Sequence, residues 1–268
     1  MAKNAIILSI RPTPTIGGVK APIRKGFAGL LAFTLAEVLI VLGIIGIIAE
    51  MTIPTLMTNV QLAELQNEYK KAYSDLNQIT QKFQADYNES VSEYTDMTQN
   101  PEGTNYSDFK LNIFPSYFKN YKQQDRNHYI MPLSSATGSW DMGFCDASKN
   151  YVDGNGRFWR FDDANYSGEN GPKICVDVNG DKGPNRQGWD NFVFLFTTSG
   201  KAIPMGASDP NNPKQRYMYY INFSVPAEDH CKIGSHLENV ACAYYALLDR
   251  SPLDSSKSYW HDFLPSVK

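Results

Sequence analysis

An α+β fold, with one long N-terminal helix laid across an antiparallel sheet, is predicted by three observations. A run from Gly26 to Ala49 is apolar but for one charge, Glu37. An amphipathic stripe follows it, and beyond that short β-like runs alternate with Gly, Asn and Asp. The 268 residues allow one large domain or two small ones. A hydrophobic share of 42% and an aromatic share of 13% exclude a disordered or fibrous chain. A net charge of −3 offers no basic field for nucleic acid, which is therefore not an expected partner. Charge is also unevenly placed: Lys3, Arg11, Lys20, Arg24 and Lys25 precede Phe33 without any acid, so a basic leader stands before an acidic body.

The Gly26–Ala49 run exceeds the ~20 residues a helix needs to cross a hydrocarbon core. Arg24 and Lys25 before it and Glu50 after it place the N-terminus in the cytoplasm and the bulk of the chain outside, by the positive-inside rule. A cleaved secretory signal fits badly, because no short apolar run ends in an A-x-A-like site before polar sequence. Glu37 stands out, since a carboxylate within an apolar helix is costly and needs a partner.

The residues Ala32-Phe33-Thr34-Leu35-Ala36-Glu37-Val38-Leu39-Ile40 closely resemble the processing and methylation motif of type IV pilins and type II secretion pseudopilins. The resemblance implies cleavage by a prepilin peptidase between Ala32 and Phe33, methylation of the new N-terminus, and assembly through the helix. Glu37 then becomes the fifth residue of the mature chain and Pro54 the twenty-second, both as in the family. Ala32 departs from the Gly usual there. It further implies an inner-membrane assembly platform and other pilin or pseudopilin subunits as partners, and a single-pass inner-membrane location before assembly into a filament or at the cell surface. The function expected is that of a structural, non-enzymatic subunit, a minor one given the size of the mature chain. The alternative is a membrane-anchored extracytoplasmic binding module, an adhesin or a DNA- or sugar-binding head that enters no filament.

Leu62, Leu65, Tyr69, Ala72, Leu76, Ile79 and Phe83 recur at alternating steps of three and four, the stripe of an amphipathic helix. One helix is thus expected from Phe33 to about Ala85. The organisation that follows is residues 1–32 as cleaved leader, 33–57 as transmembrane helix, 58–85 as its amphipathic continuation and 86–268 as an extracytoplasmic α+β head. Residues 86–125 are polar and turn-rich, with a short aromatic helix near Ser107–Lys122. Strands are expected at Tyr129–Pro132, Gly156–Phe161, Lys173–Val178, Asn191–Thr197 and Arg216–Phe223. Asn191–Phe196 is apolar on both faces and reads as the central strand. Asp153-Gly154-Asn155-Gly156 reads as a hairpin turn. Glu238–Asp249 has helical spacing.

Asp177, Asn179, Asp181 and Asp190 line an oxygen-rich loop, a chemistry suited to Ca²⁺. Gly and Glu are missing from the places an EF-hand requires. The stretch resembles a loop of pseudopilin-like heads, and calcium binds such a loop in the major pseudopilins. A chain of Asx and Gly turns explains the same residues, and both readings stand. Four cysteines in an oxidising compartment favour disulfides, with Cys231–Cys242 preferred by proximity and Cys145–Cys175 remaining. A zinc site from His230, Cys231, His236 and Cys242 matches no usual spacing. His128 and His261 are isolated. Tyr217, Tyr219, Tyr220, Tyr244 and Tyr245 are candidates for a sugar or DNA face, though sheet packing explains them as well. No nucleophile elbow, HExxH or phosphate-loop motif occurs.

Overall fold

The computed structural model describes residues 34–124, 150–162, 171–208, 231 and 237–267. Helix α1, Leu35–Tyr87, runs through Pro54 as one element. The chain divides into two compact units between Met51 and Thr52. In the first, every described residue but Ala49 is exposed. The second holds the core, in which Leu62, Leu65, Tyr69, Ala72, Leu76, Ile79 and Phe83 of α1 are all buried, the stripe that the spacing predicts.

That stripe packs on a six-stranded antiparallel meander in the order β1-β2-β3-β4-β5-β6. The strands are β1 Lys122–Gln124, β2 Asn150–Val152, β3 Phe158–Asp162, β4 Lys173–Asp177, β5 Asn191–Phe196 and β6 Ala202–Pro204. Pairing sets Trp159 opposite Val176, Phe161 opposite Ile174, Val176 opposite Phe192 and Ile174 opposite Phe194. Because side chains alternate along a strand, these share one face. Tyr69 of α1 meets Phe192 and Phe194 there, at ring centroids 4.3 and 5.8 Å apart. The other face carries Phe158, Cys175, Val193 and Leu195, which are buried as well. β5 is covered on both faces as expected, but among the described strands it is not central. It lies second from the β6 edge, since a meander orders strands by sequence whatever their hydrophobicity.

Around the sheet, α2 is Val91–Tyr94, α3 Thr104–Asp108 and α4 Phe114–Ser116, with a π-helical turn Phe109–Ile113 joining the last two. The expected aromatic helix therefore begins earlier and is built of three pieces. Pro115 explains the π turn. It lacks an amide to donate four residues back and its ring crowds that carbonyl, while the Phe114 amide reaches five back to Phe109. The C-terminal segment repeats the device, with the Leu264 amide bonded to Tyr259 just before Pro265 in α6, Leu264–Ser266. The helix expected at Glu238–Asp249 is a 3₁₀ turn, Leu237–Ala241, followed by α5, Cys242–Leu248. Tyr69 donates its buried hydroxyl to the Ala243 carbonyl, tying α1 to α5. Burial pushes the Tyr69 hydroxyl well above its ordinary pKa. The strands expected at Tyr129–Pro132 and Arg216–Phe223 lie outside the described residues.

Candidate functional site

The start of α1 closes on itself. The Thr34 amide and hydroxyl both donate to Glu37 Oε2, at 2.8 and 2.9 Å, and the Glu37 amide donates back to Thr34 Oγ1 at 3.2 Å. This is a reciprocal capping box, and Thr34-Leu35-Ala36-Glu37 carries its signature in the sequence. Glu37, as a carboxylate within an apolar helix, needs a partner. Its first partner is Thr34, because a helix N-terminus offers unpaired amides and a positive dipole end to a carboxylate one turn in. Ala32 and Phe33, the expected processing site, lie outside the described residues.

From Leu35 the helix is apolar on all faces and exposed on all of them: Leu35 at 81%, Ile40 at 63% and Met51 at 74%. No residue of its most apolar stretch is buried, and α1 is long and apolar enough to cross a membrane. Pro54 interrupts the backbone hydrogen bonding, and the Thr58 hydroxyl donates to the Pro54 carbonyl at 3.1 Å.

The oxygen-rich loop connects β4 to β5. Pairing of Asp177 with Asn191 brings Asp190 beside Asp177. Asn191 Nδ2 donates to both carboxylates, at 3.1 and 3.0 Å. Asp177 Oδ1 accepts the Asn179 and Gly180 amides, and Asp190 accepts those of Asn185 and Arg186. Asx-type turns therefore build the loop. Gly180 is required in it, since its φ is +65° and a Cβ there would stand 2.2 Å from the Gly156 carbonyl oxygen. Both carboxylates are buried; burial, and then the Asp177 charge, push Asp190 up to about 7. Asn179 Oδ1 is buried without a hydrogen-bond partner, whereas Asp181 is exposed. The four predicted ligands thus separate: Asp177, Asn179 and Asp190 lie in the buried part of the loop, Asp181 on its surface.

Cys231 and Cys242 form a disulfide, with Cα atoms 4.9 Å apart. That excludes the zinc reading, which needs both as thiolates; among the described residues no group of three or more His, Cys, Asp or Glu gathers. Cys175 is also disulfide-bonded. Cys145, expected as its partner, lies outside the described residues, as do His128, His230, His236, Tyr217, Tyr219 and Tyr220. Tyr244 and Tyr245 are half-buried on α5, with rings 5.5 Å apart. His261 is exposed in the C-terminal π turn.

Sequence reasoning missed one site. Asp153 of the β2–β3 turn accepts the amides of Asn155 and Arg157, Arg157 Nε and Trp159 Nε1. Arg157 in turn reaches Asp75 of α1 at 2.6 Å. Reading Asp153 only as a turn residue left its charge partner unsought. No protein-family model, curated protein or solved structure matches this chain.

Proposed function

We propose that this chain is a structural subunit, and a minor one, of a type IV pilus or type II secretion pseudopilus. In this reading it is inserted as a prepilin in the inner membrane with its head outside the cytoplasm. A prepilin peptidase cleaves it before Phe33, the new N-terminus is methylated, and assembly proceeds on an inner-membrane platform beside other such subunits. The carrying observation is α1. Its first half is exposed and apolar on every face, while its second half supplies one buried stripe to the core of an α+β head. A plain anchor needs only the first property. The Ala32-Phe33 junction with Glu37 and Pro54 behind it supports the finer assignment. Glu37 would stand in a dry bundle of helices, where an uncompensated charge is costly. The amino group of a neighbour's Phe33 is the cation that processing would create.

Intact mass of the protein extracted from membranes of a peptidase-positive host tests this reading. Loss of residues 1–32 with one added methyl is expected. A full-length mass would leave the membrane-anchored binding module as the better reading.

We propose with it that the β4–β5 loop holds Ca²⁺ through Asp177, Asn179 and Asp190. The unpartnered buried Asn179 oxygen and the two adjoining buried carboxylates fit a hard cation. Calcium would neutralise that pair and fasten the loop to β5.

A further inference from the structure

Asn-x-Ser triplets, the spacing that accepts an N-linked glycan outside the cytoplasm, occur at Asn88, Asn105, Asn165 and Asn222. Bacterial transferases of this kind also need a carboxylate two residues ahead of the Asn. Asp86-Tyr87-Asn88-Glu89-Ser90 and Asp163-Ala164-Asn165-Tyr166-Ser167 meet that need, whereas Gly103 and Tyr220 hold the place before Asn105 and Asn222. With 28 acids in 268 residues, two acids in four such places is several-fold more than composition supplies. Asn165 lies outside the described residues, so the argument of geometry is that of Asn88.

Asn88 is placed to carry a large substituent. It follows the last residue of α1, its amide closing the helix on the Gln84 carbonyl at 2.9 Å with φ at +58°. That left-handed turn separates α1 from α2 and leaves Asp86, Tyr87 and Asn88 exposed. Asn is tolerated at such a helix end whatever its later chemistry. The flanking acid and hydroxyl are what the turn alone does not require. Tyr87 adds a surface for the first sugar: its ring stacks on Phe83 at 4.5 Å, yet 41% of the residue stays exposed beside Asn88.

Ser90 sets the timing. It is 1% exposed and caps α2, donating to Glu93 Oε2 at 2.9 Å and accepting the Glu93 amide at 3.1 Å. A transferase reaches that hydroxyl before the cap closes, on the chain as it leaves the membrane, and not on the folded head.

We propose that Asn88 is an N-glycosylation site, loaded from a polyprenyl diphosphate-linked oligosaccharide on the outer side of the membrane before the head folds. Asn88 Nδ2 bonds to C1 of the first sugar. The bond from C1 to the diphosphate oxygen breaks, its electron pair leaving on the diphosphate, and the amide proton passes to a transferase carboxylate. This rests on the reading that places the head outside the cytoplasm, and not on entry into a filament.

For the test, the full-length chain is produced in a Gram-negative host with a bacterial oligosaccharyltransferase and its lipid-linked oligosaccharide, then extracted from membranes. Fragment-ion mass spectrometry under non-reducing conditions locates the glycan. Expected is a glycan at Asn88 and none at Asn105. Asn88→Gly, which suits the left-handed turn, and Asp86→Asn, which keeps an oxygen for the Tyr117 hydroxyl, should each lose the glycan and still form the Cys231–Cys242 disulfide. Ser90→Thr keeps both the cap and the acceptor spacing and should retain it. A bare Asn88 in protein whose disulfide has formed would overturn the site and leave the extracytoplasmic reading standing. Free thiols at Cys231 and Cys242 would overturn both. Equal occupancy at Asn105, or undiminished occupancy in Asp86→Asn, would also overturn the proposal.

Discussion

At Glu37 one carboxylate serves the helix end and, in the proposed filament, the amino terminus of a neighbour. The two demands separate by substitution. Glu37→Gln keeps an oxygen for Thr34 and loses the charge, so processing and head folding should persist while co-purification with wild-type filament subunits falls. Thr34→Ala loses the hydroxyl and keeps the charge, so hydrogen exchange should quicken over the first turn of α1 while incorporation is retained. Wild-type incorporation of Glu37→Gln would exclude the pairing. At the other end of the chain, burial acts to raise Asp249, but the Ser258 hydroxyl at 2.6 Å and the Trp260 amide outweigh it and hold the carboxyl below its ordinary range. A depressed carboxylate stabilises the fold above its unfolded pKa of about 3.9 and loses that contribution as pH falls through the lower folded value. Asp249→Asn should therefore lower the melting temperature near neutral pH, with the difference from wild type shrinking in acid below about pH 4.

Among the elements, α1 and the β4–β5 loop carry the sharpest expectations. Leu76 is fully buried within the sheet-facing stripe, so Leu76→Ala should cost about 2–5 kcal/mol and lower the melting temperature by roughly 5–15 °C. Val38→Ala, on the exposed first half of the helix, should leave the melting temperature of the head unchanged. For the loop, calcium in large excess over its dissociation constant should raise the wild-type melting temperature by roughly 5–10 °C above that in chelator. Asp190→Asn should abolish that difference. Equal melting in both buffers would leave the turns alone as the explanation of these residues.

At the scale of the whole molecule, the buried stripe of α1 begins at Leu62, and the run of exposed large apolar residues that opens at Leu35 ends at Val60. A chain beginning at Thr58 should accordingly be soluble without detergent and melt cooperatively, since it keeps every core residue of the helix. One beginning at Asp86 removes seven of them and should not fold. Circular dichroism and size-exclusion chromatography of the two chains distinguish the cases.

What the sequence determined by itself was local and periodic. The spacing from Leu62 to Phe83 names the buried face of α1, because 3.6-residue geometry needs no knowledge of the partner surface. The aromatic and β-branched runs name β3, β4 and β5 to within two residues, and the eleven-residue separation of Cys231 from Cys242 made their pairing the economical one. The capping boxes Thr34–Glu37 and Ser90–Glu93 were equally legible in their spacing and went unread. Tertiary structure alone decided the remainder. Lys122–Gln124, Asn150–Val152 and Ala202–Pro204 are strands only because a neighbour accepts their hydrogen bonds, three residues being too few to carry a pattern. Only the β4–β5 register sets Asp177 against Asp190 as two buried carboxylates. Arg157 finds its second carboxylate in Asp75, 82 positions away in the chain, and a contact of that range leaves no mark in local spacing.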